Sequence, residues 1–133
     1  MEQIVSPHVI DWDVMPPASK SLTIRAMLCG MLAGTAEIHN PAICDDTIAC
    51  LELINSLGAE IYAHNNKLII ERKEFKFPES INCGESALCM RMMPFVLGSL
   101  GYSGEITGEG TLINRNMNGL IETLRSVGLN VES

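Results

Sequence analysis

The chain has 133 residues, 47% of them apolar, and a formal charge of −7. That apolar content suits one packed domain and argues against disorder, while the acidic balance excludes a nucleic-acid backbone as a partner, which needs a concentrated basic surface. No stretch approaches the roughly 18 uninterrupted apolar residues of a membrane span, and residues 1–19 lack a basic start followed by an apolar core, so the expected setting is cytoplasmic, with no membrane partner.

In chain order, Ser19 predicts the N-cap of a first, mostly buried helix that ends at Gly34. Its apolar spacing is Leu22, Ala26, Cys29 and Leu32, flanked by Met27, Leu28 and Met31. Ala36 to His39 reads as a short strand. Asp45-Asp46-Thr47 can cap a second helix to Leu57, with Cys50, Leu51, Leu53, Ile54 and Leu57 as its apolar face and Gly58 as the stop. Glu60 to Ala63 and Lys67 to Arg72 then form a hairpin about a His64-Asn65-Asn66 turn. Further on, Cys83-Gly84-Glu85-Ser86 opens a long apolar helix to Leu100 interrupted at most by Pro94, Gly104 to Thr107 reads as a strand, and Asn116 to Val127 as a helix stopped by Gly128.

This second series restates the first. Arg25 falls opposite Arg91, residues 34–38 opposite 102–106, and Leu57-Gly58 opposite Val127-Gly128, an offset close to about 70 residues. The expected architecture is therefore α/β, of α+β type, built from a repeated strand-helix-strand-helix-hairpin unit at about 9–72 and again at about 78–133. The second unit stops where its hairpin should begin, so the chain reads as truncated, with apolar surface meant to be covered by sequence absent from it.

The five cysteines (Cys29, Cys44, Cys50, Cys83, Cys89) form no CxxC pair and have no histidine at metal-ligand spacing. They read as small buried hydrophobes in a reducing compartment, and no metal is expected. His8, His39 and His64 share no spacing and read as structural or surface residues.

Of nine lysines and arginines, Lys67, Arg72, Lys73 and Lys76 lie in and after the hairpin and read as solvated surface, and Arg125 lies in the last turn of a helix, where the macrodipole favours it. Lys20, Arg25, Arg91 and Arg115 remain. They stand near the starts of three helices, the ends where a positive side chain is unfavourable to the helix itself. Each could pair with a nearby acid. A bound anion would explain all of them together, because first-turn N–H groups, hydroxyls such as Ser21 and a cation can converge on phosphate or carboxylate oxygens. A phosphate-loop NTPase is a poor fit, since GxxxxGK[ST] is absent. Glu85-Ser86 has neither a GxSxG elbow nor a positioned histidine.

Pro17-Ala18-Ser19-Lys20-Ser21 followed by Arg25, then Gly34-Thr35, Asp45-Asp46-Thr47, Leu57-Gly58-Ala59-Glu60-Ile61, Gly84 through Met90-Arg91, and Thr107-Gly108-Glu109 through Arg115 resemble, in order and spacing, the front part of the EPSP synthase (3-phosphoshikimate 1-carboxyvinyltransferase) family. The resemblance implies repeated βαβαββ units in two globular halves of a longer chain. It further implies enolpyruvyl transfer from phosphoenolpyruvate to a hydroxyl of shikimate 3-phosphate, with release of phosphate, in aromatic amino-acid synthesis. No metal or organic cofactor is implied. By matched position Lys20 would be catalytic, contacting phosphoenolpyruvate between the substrates; Ser21 and Arg25 would hold shikimate 3-phosphate, Arg115 would hold phosphoenolpyruvate, and Arg91 would support.

Two departures stand out against that resemblance. Glu85 replaces a neutral amide that faces an anion, and would repel phosphoenolpyruvate unless protonated, paired with a cation or turned away. Ala87 adds a methyl where the family has glycine against the phosphoenolpyruvate pocket, which is expected to narrow it against the inhibitor glyphosate. The family's acid and base carboxylates, a further lysine and several arginines come from sequence beyond residue 133, so the chain alone is expected to bind weakly and not turn over. A related UDP-N-acetylglucosamine enolpyruvyltransferase would show Lys-Asn at 20–21 and a cysteine within 110–114, where this chain has neither. A non-catalytic anion-binding or structural fragment is the remaining alternative.

Overall fold

The computed structural model describes Val9, Asp11, Asp13 and residues 16–132. His8 and the expected first strand of the first repeat lie outside the described residues.

Helix α1 (Lys20–Ala33) begins where the Ser19 hydroxyl accepts the amide proton of Leu22 and ends at Gly34, whose φ of 91° is a left-handed conformation that suits a residue without Cβ. Its buried face is Thr23, Ile24, Met27, Leu28 and Met31. Here the structure corrects the expected apolar stripe: Leu22 and Leu32 are exposed, and so is Cys29. The helix is apolar almost all round, so periodicity alone could not choose the face that packs.

Strand β1 (Thr35–His39) follows, then α2 (Asp45–Ser56), β2 (Ala59–His64) and β3 (Lys67–Arg72). The α2 N-cap is Cys44, just before the acids; the buried Thr47 hydroxyl accepts from the Cys44 amide at 2.9 Å and donates to the Cys44 carbonyl at 2.8 Å. The hairpin turn is Asn65-Asn66, both at positive φ (48° and 58°), the pattern a two-residue hairpin requires. β3 is the centre of a three-stranded antiparallel sheet in the order β1-β3-β2, with Ile38 opposite Leu68 and Ile61 opposite Ile70. α1 and α2 pack on each other and on this sheet. Arg72, expected to be simply solvated, instead donates from Nε to the Met31 carbonyl at 2.6 Å and from Nη2 to the Leu32 carbonyl at 3.2 Å, supplying donors and positive charge at the C-terminus of α1.

A short strand β4 (Ser80–Asn82) leads to α3 (Ala87–Ser99) and back to β5 (Glu105–Thr107), which pairs parallel with β4. α3 repeats the device of α1: the buried Ser86 hydroxyl accepts from the Cys89 amide, and Pro94 lies inside the helix. A 3₁₀ turn (Gly110–Leu112) and α4 (Asn118–Ser126) complete the described elements.

The core joins both series. Met27, Ile54 and Ile70 from the first and Ile81, Met93 and Leu97 from the second belong to one buried cluster. Cys50, Cys83 and Cys89 are buried within it, as expected of small hydrophobes, whereas Cys29 is exposed and Cys44 half-buried. An apolar groove of about 760 Å³ remains between α3, β5 and α4, with Met90, Pro94, Ile106, Leu120 and Leu124 in its walls.

Candidate functional site

The first turns of three helices meet at one cleft of about 790 Å³. α1 presents Lys20 and Ser21, α2 presents Asp45 and Asp46, and α3 presents Ala87 and Leu88. Such ends carry amides without intrahelical partners and the positive pole of the helix dipole. The 3₁₀ turn closes a further side with Thr111, and Arg115 follows it.

Five of the six residues singled out from sequence line this cleft: Lys20, Ser21, Ala87, Arg91 and Arg115. Arg25 does not. It is exposed one turn beyond Ser21 on α1, outside the cleft lining. Among the described residues Arg25, Arg91 and Arg115 form no ion pair, whereas Lys20 Nζ lies 2.8 Å from Asp46 Oδ2. The hydrogen bond to Asp46 and then its charge raise the Lys20 pKa above the ordinary value, with Arg115 pulling the other way.

Cations are outnumbered at the cleft. Against Lys20, Arg91 and Arg115 stand Asp45, Asp46, Glu52, Glu85 and Glu109. Among the described residues Glu85 has no ion-pair partner; its Oε2 accepts from the Thr111 amide and from the Thr111 hydroxyl, both at 2.9 Å. The amide hydrogen bond first, then the hydroxyl, hold its carboxyl below the usual range, with Arg115 adding in the same direction.

Asp46 was expected as a helix cap and as part of the Asp45-Asp46-Thr47 motif, and Thr111 falls inside the Thr107 to Arg115 motif, but neither was singled out as a site residue. No spacing signal could have found either, because each meets its partner across 26 residues. His39, as expected, is at the surface, 2.9 Å from Glu37. Among the described residues no group of three or more histidine, cysteine or acidic side chains is arranged to hold a metal, and no helix is long and apolar enough to cross a membrane.

Fold and cleft together define a mixed α/β protein whose helix N-termini and unpaired arginines meet at one polar site. Residues 6–133 match the family described as EPSP synthase (3-phosphoshikimate 1-carboxyvinyltransferase), and the chain belongs to that family. The 3-phosphoshikimate 1-carboxyvinyltransferase of Methanocorpusculum labreanum is 33% identical over 138 residues, covering 100% of this chain and 33% of the relative. That of Thermococcus kodakarensis is 35% identical over 117 residues, covering 87% of this chain and 28% of the relative. EPSP synthase from Acinetobacter baumannii has a similar fold, with a TM-score of 0.76 at 23% identity over 88% of this chain and 28% of that one. The chain thus spans about a third or less of the length of the relatives it matches.

Proposed function

We propose that this chain supplies one wall of a two-substrate site for enolpyruvyl transfer from phosphoenolpyruvate to shikimate 3-phosphate. The observation that carries the reading is the convergence of three helix N-termini with Lys20, Arg91 and Arg115 on one cleft. Both substrates are polyanions. Unpaired first-turn amides and arginines without carboxylate partners are the groups that bind such ligands and stabilise charge developing on them.

In this reading Lys20, paired with Asp46, lies between the substrates, Ser21 holds shikimate 3-phosphate, Arg115 holds phosphoenolpyruvate, and Arg91 supports, while Arg25 stays outside the cleft lining. The methylene carbon of phosphoenolpyruvate gains a proton while the hydroxyl of shikimate 3-phosphate, giving up its own, attacks the adjacent carbon, and the tetrahedral intermediate then loses phosphate together with a proton from the new methyl carbon, restoring the double bond. The groups that would move those protons come from the remainder of the enzyme. In the same reading the two chain segments, about 9–72 and 78–133, are successive βαβαββ units. The setting is the cytoplasm.

The surplus of carboxylates at the cleft favours weak binding by the 133-residue chain alone. Calorimetric titration with shikimate 3-phosphate tests the reading: saturable heat, weakened roughly 10-fold by Lys20→Met, is expected. No heat with either substrate or both would leave a structural role for the fragment. With both substrates present no phosphate release is expected, and measurable release would overturn the division of the site between this chain and the remainder. The Lys20-Ser21 pair and the absence of cysteine from residues 110–114 favour shikimate 3-phosphate over a UDP-sugar acceptor.

A further inference from the structure

Glu85 belongs to a local structure that the cation pattern did not reveal. The loop between β4 and α3 is stitched to the segment after β5 by successive contacts. The Cys83 amide donates to the Thr107 carbonyl at 2.8 Å, and the Glu109 amide donates to the Gly84 carbonyl at 2.8 Å. The Asn82 side-chain amide donates to the Glu109 carboxylate, while its oxygen accepts the Gly84 amide at 2.8 Å. The last stitch is Glu85, whose single Oε2 receives both Thr111 donors. The Glu85 carboxylate lies so close against the turn that a Cβ on Gly110, which sits at a φ of +52°, would run into it. Three residues beyond the turn's last residue comes Arg115, and its amide donates to the Leu112 carbonyl at 3.1 Å, so the arginine's backbone is tied to the clamped turn.

We propose that Glu85 is a positioning residue: it fastens the Gly110–Leu112 turn, and through it Arg115, against the N-terminal end of α3, at the expense of placing a negative charge on that wall of the cleft. Ionised, it receives two hydrogen bonds on one oxygen, an arrangement stronger than a neutral acceptor gives. The same charge weakens anion binding beside Arg115. Asp46 also faces it from α2 and Arg115 from beyond the turn. Position and charge are separable by substitution. Glu85→Gln keeps an oxygen for the Thr111 amide and removes the charge, while Glu85→Ala removes both.

Amide hydrogen exchange on the 133-residue chain at neutral pH tests the clamp without any ligand. Glu85→Ala is expected to speed exchange at Thr111 and Leu112 by roughly 10-fold or more, and Glu85→Gln by less than about 3-fold. Thr111→Val, which keeps the amide donor and loses the hydroxyl, should fall between them. Equal exchange in all the proteins would overturn the clamp. The charge is read by titration with shikimate 3-phosphate, since that arm rests on the function proposed above. Glu85→Gln should bind several-fold more tightly than the parent and than Glu85→Ala. Binding by Glu85→Ala as tight as by Glu85→Gln would show that Glu85 does not position Arg115 and would overturn the proposal. Absence of binding in every protein would defeat the anion-site reading, leaving exchange to decide the clamp.

Discussion

Lys20 Nζ and Asp46 Oδ2, from the first turns of α1 and α2, lie 2.8 Å apart across the mouth of the cleft. The pair joins two helix ends at the point where three converge, and it raises the lysine pKa above its ordinary value. Asp46→Asn is expected to lower the Lys20 pKa, because the hydrogen bond and charge that raise it are removed while Arg115 continues to depress it. The sign for stability follows: a raised lysine pKa stabilises the folded chain below the ordinary value near 10.5 and ceases to do so as pH rises through the folded pKa. Nitrogen-detected NMR of the lysine side chains through pH 9 to 12 checks the shift; an unmoved Lys20 would remove Asp46 from the account.

Alkaline pH should destabilise the core for a second reason. Burial first, then the neighbouring Cys89, push the Cys83 thiol up to about 12 from 9.0, and hydrogen bonding to Cys89 followed by burial pushes Cys50 up as well. A neutral Cys83 thiol is favoured in the folded state, so its contribution is intact below pH 9 and declines as pH rises toward 12, while hydrogen bonding to Cys50 shifts Cys89 the other way, down to about 7. Denaturant melts between pH 7 and 11 check the slope. At neutral pH a thiol reagent should modify the exposed Cys29 first and reach Cys50, Cys83 and Cys89 only on unfolding.

Gly30→Ala separates propensity from packing. In an exposed helix interior the change would stabilise by about 1 kcal/mol. At Gly30 the new Cβ would lie 2.6 Å from the Ala36 Cβ, where α1 packs on β1, and neither atom is the end of a flexible chain. Overpacking should win, with a net loss of about 1–3 kcal/mol. Adding Ala36→Gly should recover part of it, which thermal melts of the single and double variants would show.

Local chemistry was the legible part of this fold. Ser19 and Gly34 mark the ends of α1, and Asn65-Asn66 marks the hairpin, because caps and tight turns depend on the residues that form them. The grouping of Lys20, Ser21, Ala87, Arg91 and Arg115 was legible through their common place at helix starts and through family motifs. The packed face of α1 was not, since Leu22 and Cys29 are as apolar as Met27 and Leu28 and only the partner surface distinguishes them. The contacts of Asp46 and Thr111 were not legible, although both residues lie in the family motifs, because each meets its partner across a long sequence separation. Arg25 stands four residues from Ser21, yet shared helix spacing did not bring it into the cleft.

In the function proposed above, the cleft at the helix N-termini binds the phosphate-bearing substrates. Titration of the isotope-labelled chain with shikimate 3-phosphate, followed residue by residue in amide and arginine side-chain NMR spectra, tests it most directly. Saturable shifts centred on Lys20, Ser21, Ala87, Arg91 and Arg115 are expected, abolished by Lys20→Met with Arg115→Met. Shifts confined to the basic hairpin at Lys67, Lys73 and Lys76, or none at saturating ligand, would contradict it.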